Sequence, residues 1–473
     1  MNANLAQVLA SAGLLFCVAC AGSRASLGGD RGRVPSPAPA FSGATPSDAG
    51  GMTFARFLGP IPVRLAPWEG SEAVTIAGTR RGTVTIERAA AVLRATTGAA
   101  AAQLHFRPAP GRSLTLDERP YPGTLSVELR PEGGLSITNL VPLEDYVSGV
   151  LAGELILWSA EPAELEAQAI AARTYALSML ARRRDPATAF LWSDTRDQAY
   201  RGAFVPEDSD GSRRVARRLA AAVERTAGSV LIKGGRLLDA RFHATCGGRT
   251  AALHEQFPAS PGPPIEAVAC APCATRARAP ESGAAGAGHS ARPVTWSTTI
   301  PARDLVSLAG ELELGRRILS LRPTDLSPAG RWLSIELTGT RGRTTITLEE
   351  FRRRLGSRQV ASAWITATWP HPGKPISAGL LLRGRGRGHG VGLCQTGSHD
   401  RAVQGWPATR ILTHYYPGSL VKGISSSQLS ASGHVPRIAD DLASAPSSPT
   451  PERQYSPPSQ APSGQAENPT PRG

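Results

Sequence analysis

Several short stretches of this 473-residue chain set reactive or polar side chains among glycines and small residues. Glu154 closes the run VPLEDYVSGVLAGEL, where a helix meets a loop. A carboxyl group there, partly shielded by Leu155, Ile156 and Trp158, suits general acid and base work. DTRDQAYRG supplies Asp194, Gln198 and Tyr200, whose carboxylate, amide and aromatic groups match the edges and faces of a sugar, or else stabilise a turn. GRGRGHGVGLCQTG carries His389 and Gln395 among glycines that let backbone approach a ligand closely.

The cysteines call for a separate explanation. Cys246, Cys270, Cys273 and Cys394 are too few to staple a domain of this size. Cys270 and Cys273, in CAPC, have the pair spacing of a zinc knuckle, and His243 and Cys246 in FHATC form a second candidate pair. A Cys3His zinc site is one reading; a disulfide from Cys246 to Cys270 or Cys273 is the other, and the sequence leaves both open.

These residues must be held by ordered elements. LEDYVSGVLAGE reads as a short helix, and Pro162 opens AELEAQAIAARTYALSMLARRR with acids leading and cations trailing, the strongest helical pattern in the chain. Its Leu165, Ala169, Ala172, Ala176 and Met179 make a narrow face suited to close packing on a sheet. A basic helix is expected over 212–226, then a strand pair turning at Lys233-Gly234-Gly235. Residues 53–141 alternate β-branched stretches with Gly and Pro turns and read as a strand-rich part. An inserted loop is expected near 274–295, strands near 331–348 and 376–384, a short helix in LTLEEFRRRLG, and a last helix in PATRILTHYYPG. The fold class expected is α+β, a strand-rich core with several helices packed on it and disordered tails at both ends.

The termini and the charge bound the setting. Residues 1–20 have an apolar core like that of a signal peptide, and Cys20, between Val18-Ala19 and Ala21-Gly22-Ser23, resembles a lipoprotein processing site, with simple cleavage after a small residue as the alternative. An exported protein of the periplasm or cell envelope is expected, touching the membrane only through an N-terminal lipid. Residues 21–52 and 425–473 have linker composition. The net charge of +14 comes almost wholly from Arg, with Lys only at 233, 374 and 422, and 5% aromatic content gives no interleaved stacking set, so no nucleic-acid partner is expected.

Over about 142–421 the segments VPLEDYVSGVLAGEL with AELEAQAIAARTYAL, DTRDQAYRG, FHATCGGRT and GRGRGHGVGLCQTG with ILTHYYPG resemble, in order, the SpoIID/LytB family of stage II sporulation protein D and the amidase enhancer. The resemblance implies a catalytic core over 142–424 and lytic transglycosylase activity on peptidoglycan glycan strands, in sporulation members on strands stripped of stem peptides. Glu154 takes the position of the catalytic glutamate. Arg173 and Tyr175 match the family's ARTYA stretch, where they orient the carboxylate or bind sugar; a structural ion pair is the other reading of Arg173. A non-catalytic module that binds glycan and stimulates a cell-wall amidase is the competing function. Some members carry zinc near the active site. Cys394 stands where Ser is common and reads as a small buried residue, and LILWSAEPAELEA departs from the family's usual Met-Pro start.

Overall fold

The computed structural model describes residues 59–183, 185, 187–278 and 294–424; the leader with Cys20, the linker 21–52 and the tail 425–473 lie outside the described residues. Their architecture is α+β: strands gathered in several sheets, with helices packed against them. No helix among the described residues is long and apolar enough to cross a membrane.

The strand-rich start builds two sheets. One has the order 100–101, 92–95, 82–89, 73–79, 114–116, 119–121; the other runs 191–192, 61–64, 135–141, 124–129, 103–106. In the second, 124–129 and 135–141 pair antiparallel from Leu135 opposite Leu129 to Leu140 opposite Thr124. That register aligns Leu125, Val127, Leu135 and Ile137 on the core, consistent with the period of two in the sequence.

Three helices close this first core: α1 (Leu143–Glu154), α2 (Pro162–Arg182) and α3 (Asp210–Arg225). α2 starts with Pro at its first position, and Glu164 accepts a bond from the Glu161 N–H at 3.2 Å. The expected face of Leu165, Ala169, Ala172 and Ala176 packs on the first core. Ala167, Ile170 and Ala171 on the other side pack into a second core, so α2 is a central helix rather than a one-sided one. Small side chains all round the cylinder permit this, and each fully buried Leu or Ile adds roughly 2 kcal/mol.

The second core gathers α4 (Leu253–Gln256), α5 (Ala271–Arg278) and two later helices. Residues 274–278, expected in a loop, are turns of α5. A third core, drawn from residues 296–382, follows as an inserted unit. Two three-stranded antiparallel sheets, 295–301/379–385/364–369 and 318–326/332–339/343–347, pack with α6 (Ala302–Glu311) and α7 (Leu348–Leu355). The chain then returns through the glycine-rich stretch to α8 (Gln395–Val403) and α9 (Ala408–Tyr415) of the second core.

Candidate functional site

Glu154 lies at the last residue of α1, half-buried, with Oε1 accepting the Ala199 N–H at 2.7 Å. Two glycines make this contact possible. A Cβ at Gly153 would fall 1.9 Å from the Ala199 carbonyl oxygen, and one at Gly149 would fall 2.5 Å from both the Gly202 carbonyl oxygen and the Tyr200 ring. Gly149 and Gly153, one turn apart, therefore let residues 199–202 lie directly on α1 and bring an N–H to the carboxylate. That pair was visible in LEDYVSGVLAGE and is the signal that sequence reasoning passed over.

The neighbouring polar residues build the wall behind this carboxylate. Tyr146 donates to Gln198 Oε1 at 2.8 Å and stacks on Tyr200 at 5.3 Å, and Tyr200 donates to Asn139 at 2.7 Å. Burial pushes the Tyr146 phenol well above its ordinary pKa and raises that of Tyr200. Gln198 and Tyr200 are thus buried in a hydrogen-bonded stack. Tyr175 donates to Asp197 at 3.0 Å, and Asp197 also accepts Arg183 at 2.8 and 2.9 Å and the Trp192 N–H at 2.8 Å. Arg173 is fully buried, giving Glu144 a bond of 2.9 Å and the Ser229 carbonyl one of 3.0 Å, so its ion pair ties α1 to α2 and to the strand after α3. The structure places these four predicted residues in the scaffold rather than on the open surface.

Asp194 is the predicted polar residue of this group that reaches solvent. Burial alone would raise its carboxyl, but bonds from Arg196 outweigh that and hold it below the usual range. The Arg196 guanidinium also stacks on Trp192 at 3.4 Å.

His389 belongs to a second group. Its Nδ1 accepts the Val391 N–H at 3.0 Å, and its ring meets Phe257 edge-on at 5.3 Å and His243 at 5.7 Å. Burial, and then the neighbouring His243, keep it neutral at physiological pH. Residues that sequence reasoning missed continue from there: the Arg241 guanidinium covers Phe257 at 3.7 Å and donates to buried Asp239, which also accepts Arg182 and Ser260. Burial raises the Asp239 carboxyl, but Arg241 and Arg182 more than compensate and leave it low. Arg182, Arg241 and Phe257 border a cleft of about 1000 Å³ whose far wall, with Trp332 and Glu349, comes from the inserted unit. Nothing in local spacing marked Asp239 or Arg241. Gln395, predicted beside His389, is buried at the first turn of α8.

The cysteines converge. The Sγ atoms of Cys246, Cys270, Cys273 and Cys394 all lie within 4.8 Å of one another, with Cys273 and Cys394 at 3.6 Å, and all four thiols are free and buried. A disulfide needs ~2.05 Å. Four thiolates ~2.3 Å from a tetrahedral zinc stand ~3.8 Å apart, which this quartet fits. The cluster differs from the expected grouping. His243 is not a member; its Nδ1 donates to the Val391 carbonyl at 3.1 Å, and burial lowers its pKa to about 3. Cys394 takes the fourth place because residues 242–243 pair in parallel with 393–394, which carries Cys246 past the end of that strand to Cys394.

Donors surround the sulfurs. The Cys246 and Gly397 N–H groups point at Cys394 Sγ at 3.3 and 3.4 Å, and the Gly248 N–H at Cys246 Sγ at 3.4 Å. Arg401 Nη1 is 3.7 Å from Cys270 Sγ. Arg331, wholly buried, reaches from the inserted unit to the carbonyls of Cys246 and Arg249 at 2.6 and 2.8 Å. Buried guanidinium groups beside the cluster are the charge that anionic sulfur requires. Burial pushes the Cys246 and Cys394 thiols well up, while bonds from its thiol neighbours draw Cys270 down.

Part of the chain is similar to known proteins. Residues 131–232, which contain α1, Glu154, α2 and the 194–202 segment, match the family model SpoIID: Stage II sporulation protein. An uncharacterized protein of Brachyspira hyodysenteriae is 27% identical over 284 residues, 60% of this chain and 67% of its own length. Stage II sporulation protein D of Bacillus amyloliquefaciens is 27% identical over 319 residues, 66% of this chain and 82% of that one. The amidase enhancer of Bacillus subtilis is 24% identical over 311 residues, 58% of this chain but 40% of the relative. The matched stretch holds both the glutamate and the glycine pair that seats it, and over it the chain is similar to stage II sporulation protein D and the amidase enhancer of the SpoIID/LytB family.

Proposed function

We propose that this chain acts on the bacterial cell wall and cleaves peptidoglycan glycan strands as a lytic transglycosylase, with Glu154 as general acid and base. The observation that carries the reading is the single carboxylate at the end of α1 with Oε1 held by the Ala199 N–H. The Ala199 N–H fixes the position and orientation of the carboxyl group at the end of α1. Glu154 protonates the glycosidic oxygen as the bond to the anomeric carbon breaks. The same carboxylate then takes the proton of the muramic acid C6 hydroxyl, whose oxygen closes on that carbon to give a 1,6-anhydro end. The substrate supplies its own nucleophile, so neither a second carboxylate nor a catalytic water is required, unlike an ordinary glycoside hydrolase.

The reading is tested by digesting glycan strands, intact and stripped of stem peptides, and measuring anhydro-muramic ends by mass spectrometry. Products from the native chain and their loss in Glu154→Gln support it; identical traces from the two proteins overturn it. A second reading is favoured by the relative named amidase enhancer: a glycan-binding module that stimulates a wall amidase. It expects Glu154→Gln to keep both glycan binding and amidase stimulation.

Zinc is proposed at Cys246, Cys270, Cys273 and Cys394. Four sulfur ligands close its coordination, so the ion would fasten the second core and take no part in the reaction. Export to the envelope, with Cys20 as the lipid attachment point, is the proposed setting.

A further inference from the structure

Two large apolar side chains directly after Glu154 are left in water: Ile156 is 41% exposed and Trp158 is 57% exposed. An exposed indole on a loose loop would carry no meaning, but this segment is fixed. Arg218 of α3 donates to the carbonyls of Leu157, Trp158 and Ala160 at 3.1, 3.3 and 3.2 Å. Leu157 and Ala160 are buried on either side. The indole lies over Gly211 in the first turn of α3, where an added Cβ would come 3.3 Å from the ring.

Three other tryptophans lie under guanidinium groups, while Trp369, 64% exposed, sits in the inserted unit, more than two hundred residues along the chain from Glu154. Trp192 is capped by Arg196 at 3.4 Å, Trp406 by Arg410 at 3.9 Å and Trp364 by Arg331 at 4.7 Å. Trp158 is thus held by its backbone and by Gly211, four residues from the Glu154 carboxyl, while most of its surface stays open. The apolar spot is small because its neighbours Leu157 and Ala160 turn inward, too small for a protein partner, which needs a patch of several hundred Å². It matches one sugar ring, whose CH-bearing face is apolar and whose edges carry hydroxyls. A rigid aromatic face binds such a ring without an ordering cost.

We propose that Trp158 is a stacking platform for a sugar ring of the glycan strand, placing a neighbouring glycosidic bond at Glu154. The inference rests on the glycan reading above and names how that site holds its substrate. Its test is titration of the full chain with soluble glycan fragments, followed by calorimetry and by intrinsic tryptophan fluorescence, for the native protein, Trp158→Ala, Trp158→Phe and Glu154→Gln. The expected result is about tenfold weaker binding in Trp158→Ala. Trp158→Phe retains most of the affinity but loses the fluorescence change, and Glu154→Gln retains both. Thermal unfolding of Trp158→Ala at the native temperature shows that the fold is intact; if that variant unfolds early, Trp158→Phe decides by its fluorescence alone. Native-like affinity in Trp158→Ala, or an unchanged fluorescence response in Trp158→Phe, overturns the platform and leaves the glycan reading standing. No binding by the native chain overturns both.

Discussion

The two faces of α2 carry two centres assembled in opposite ways. On one face, Glu154 and the residues named around it, from Asn139 to Gly202, come from a continuous piece of chain whose parts meet through glycine contacts and short loops. On the other face, the cysteine quartet joins positions 246, 270, 273 and 394 around an inserted unit with its own core. The first centre closes short loops and needs little beyond local sequence. The second must bring a distant segment home across that unit, where the loop-closure entropy is larger and a cross-linking ion has more to offer.

The contrast can be broken most severely at Glu154. Glu154→Gln removes the proton donor while keeping the acceptor oxygen for Ala199, and anhydro-end formation should fall about 100- to 10,000-fold with unfolding unchanged. Next comes the quartet. The native chain should carry about one zinc by elemental analysis. Cys394→Ser should lose that metal and melt earlier, by an amount equivalent to ~3 kcal/mol or more, whereas His243→Ala should keep its zinc. Retention of zinc by Cys394→Ser together with loss in His243→Ala would restore the Cys3His set.

Smaller effects sharpen the same comparison. Gly153→Ala forces a methyl group toward the Ala199 carbonyl and should destabilise by ~1–3 kcal/mol in denaturant unfolding, with a loss of cleavage as the N–H leaves Glu154. The smallest effect lies at the contact between the two centres' supports, where His399 Nδ1 on α8 meets Glu164 at 2.8 Å at the start of α2. That bond raises the His399 pKa. A raised folded-state value means the contribution is full below the unfolded pKa of ~6.5 and is lost as pH rises through the folded one. His399→Ala should therefore cost ~1 kcal/mol near pH 5.5 and almost nothing at pH 9; an equal cost at both would show that the pair is not ionic.

Much of the fold was legible for the same reason that the first centre is local. Pro162 with Glu164 marked the start of α2, the β-branched alternation marked 124–129 and 135–141, and Lys233-Gly234-Gly235 marked a hairpin. α5 went unseen because it lies in a stretch whose Pro, Ala and Gly content reads as a loop. At the candidate site, the segments were legible but the duties within them were not. Arg173, Tyr175, Gln198 and Tyr200 carry polar groups, and polarity alone does not distinguish a side chain facing ligand from one satisfied inside the wall.

The chain's sequence by itself determined where α1, α2 and the principal strands lie, which glutamate stands at the end of α1, and that four cysteines needed a common account, because caps, periodicities and motif spacings act over a few residues. Only the tertiary structure decided that Cys394 and not His243 joins the quartet, that Arg173 is locked to Glu144, and that Arg241, held by buried Asp239, borders a cleft against the inserted unit. The first outcome depends on the pairing of 242–243 with 393–394 across more than a hundred residues and the others on which helix and loop meet in the fold, and a local pattern holds no record of those choices.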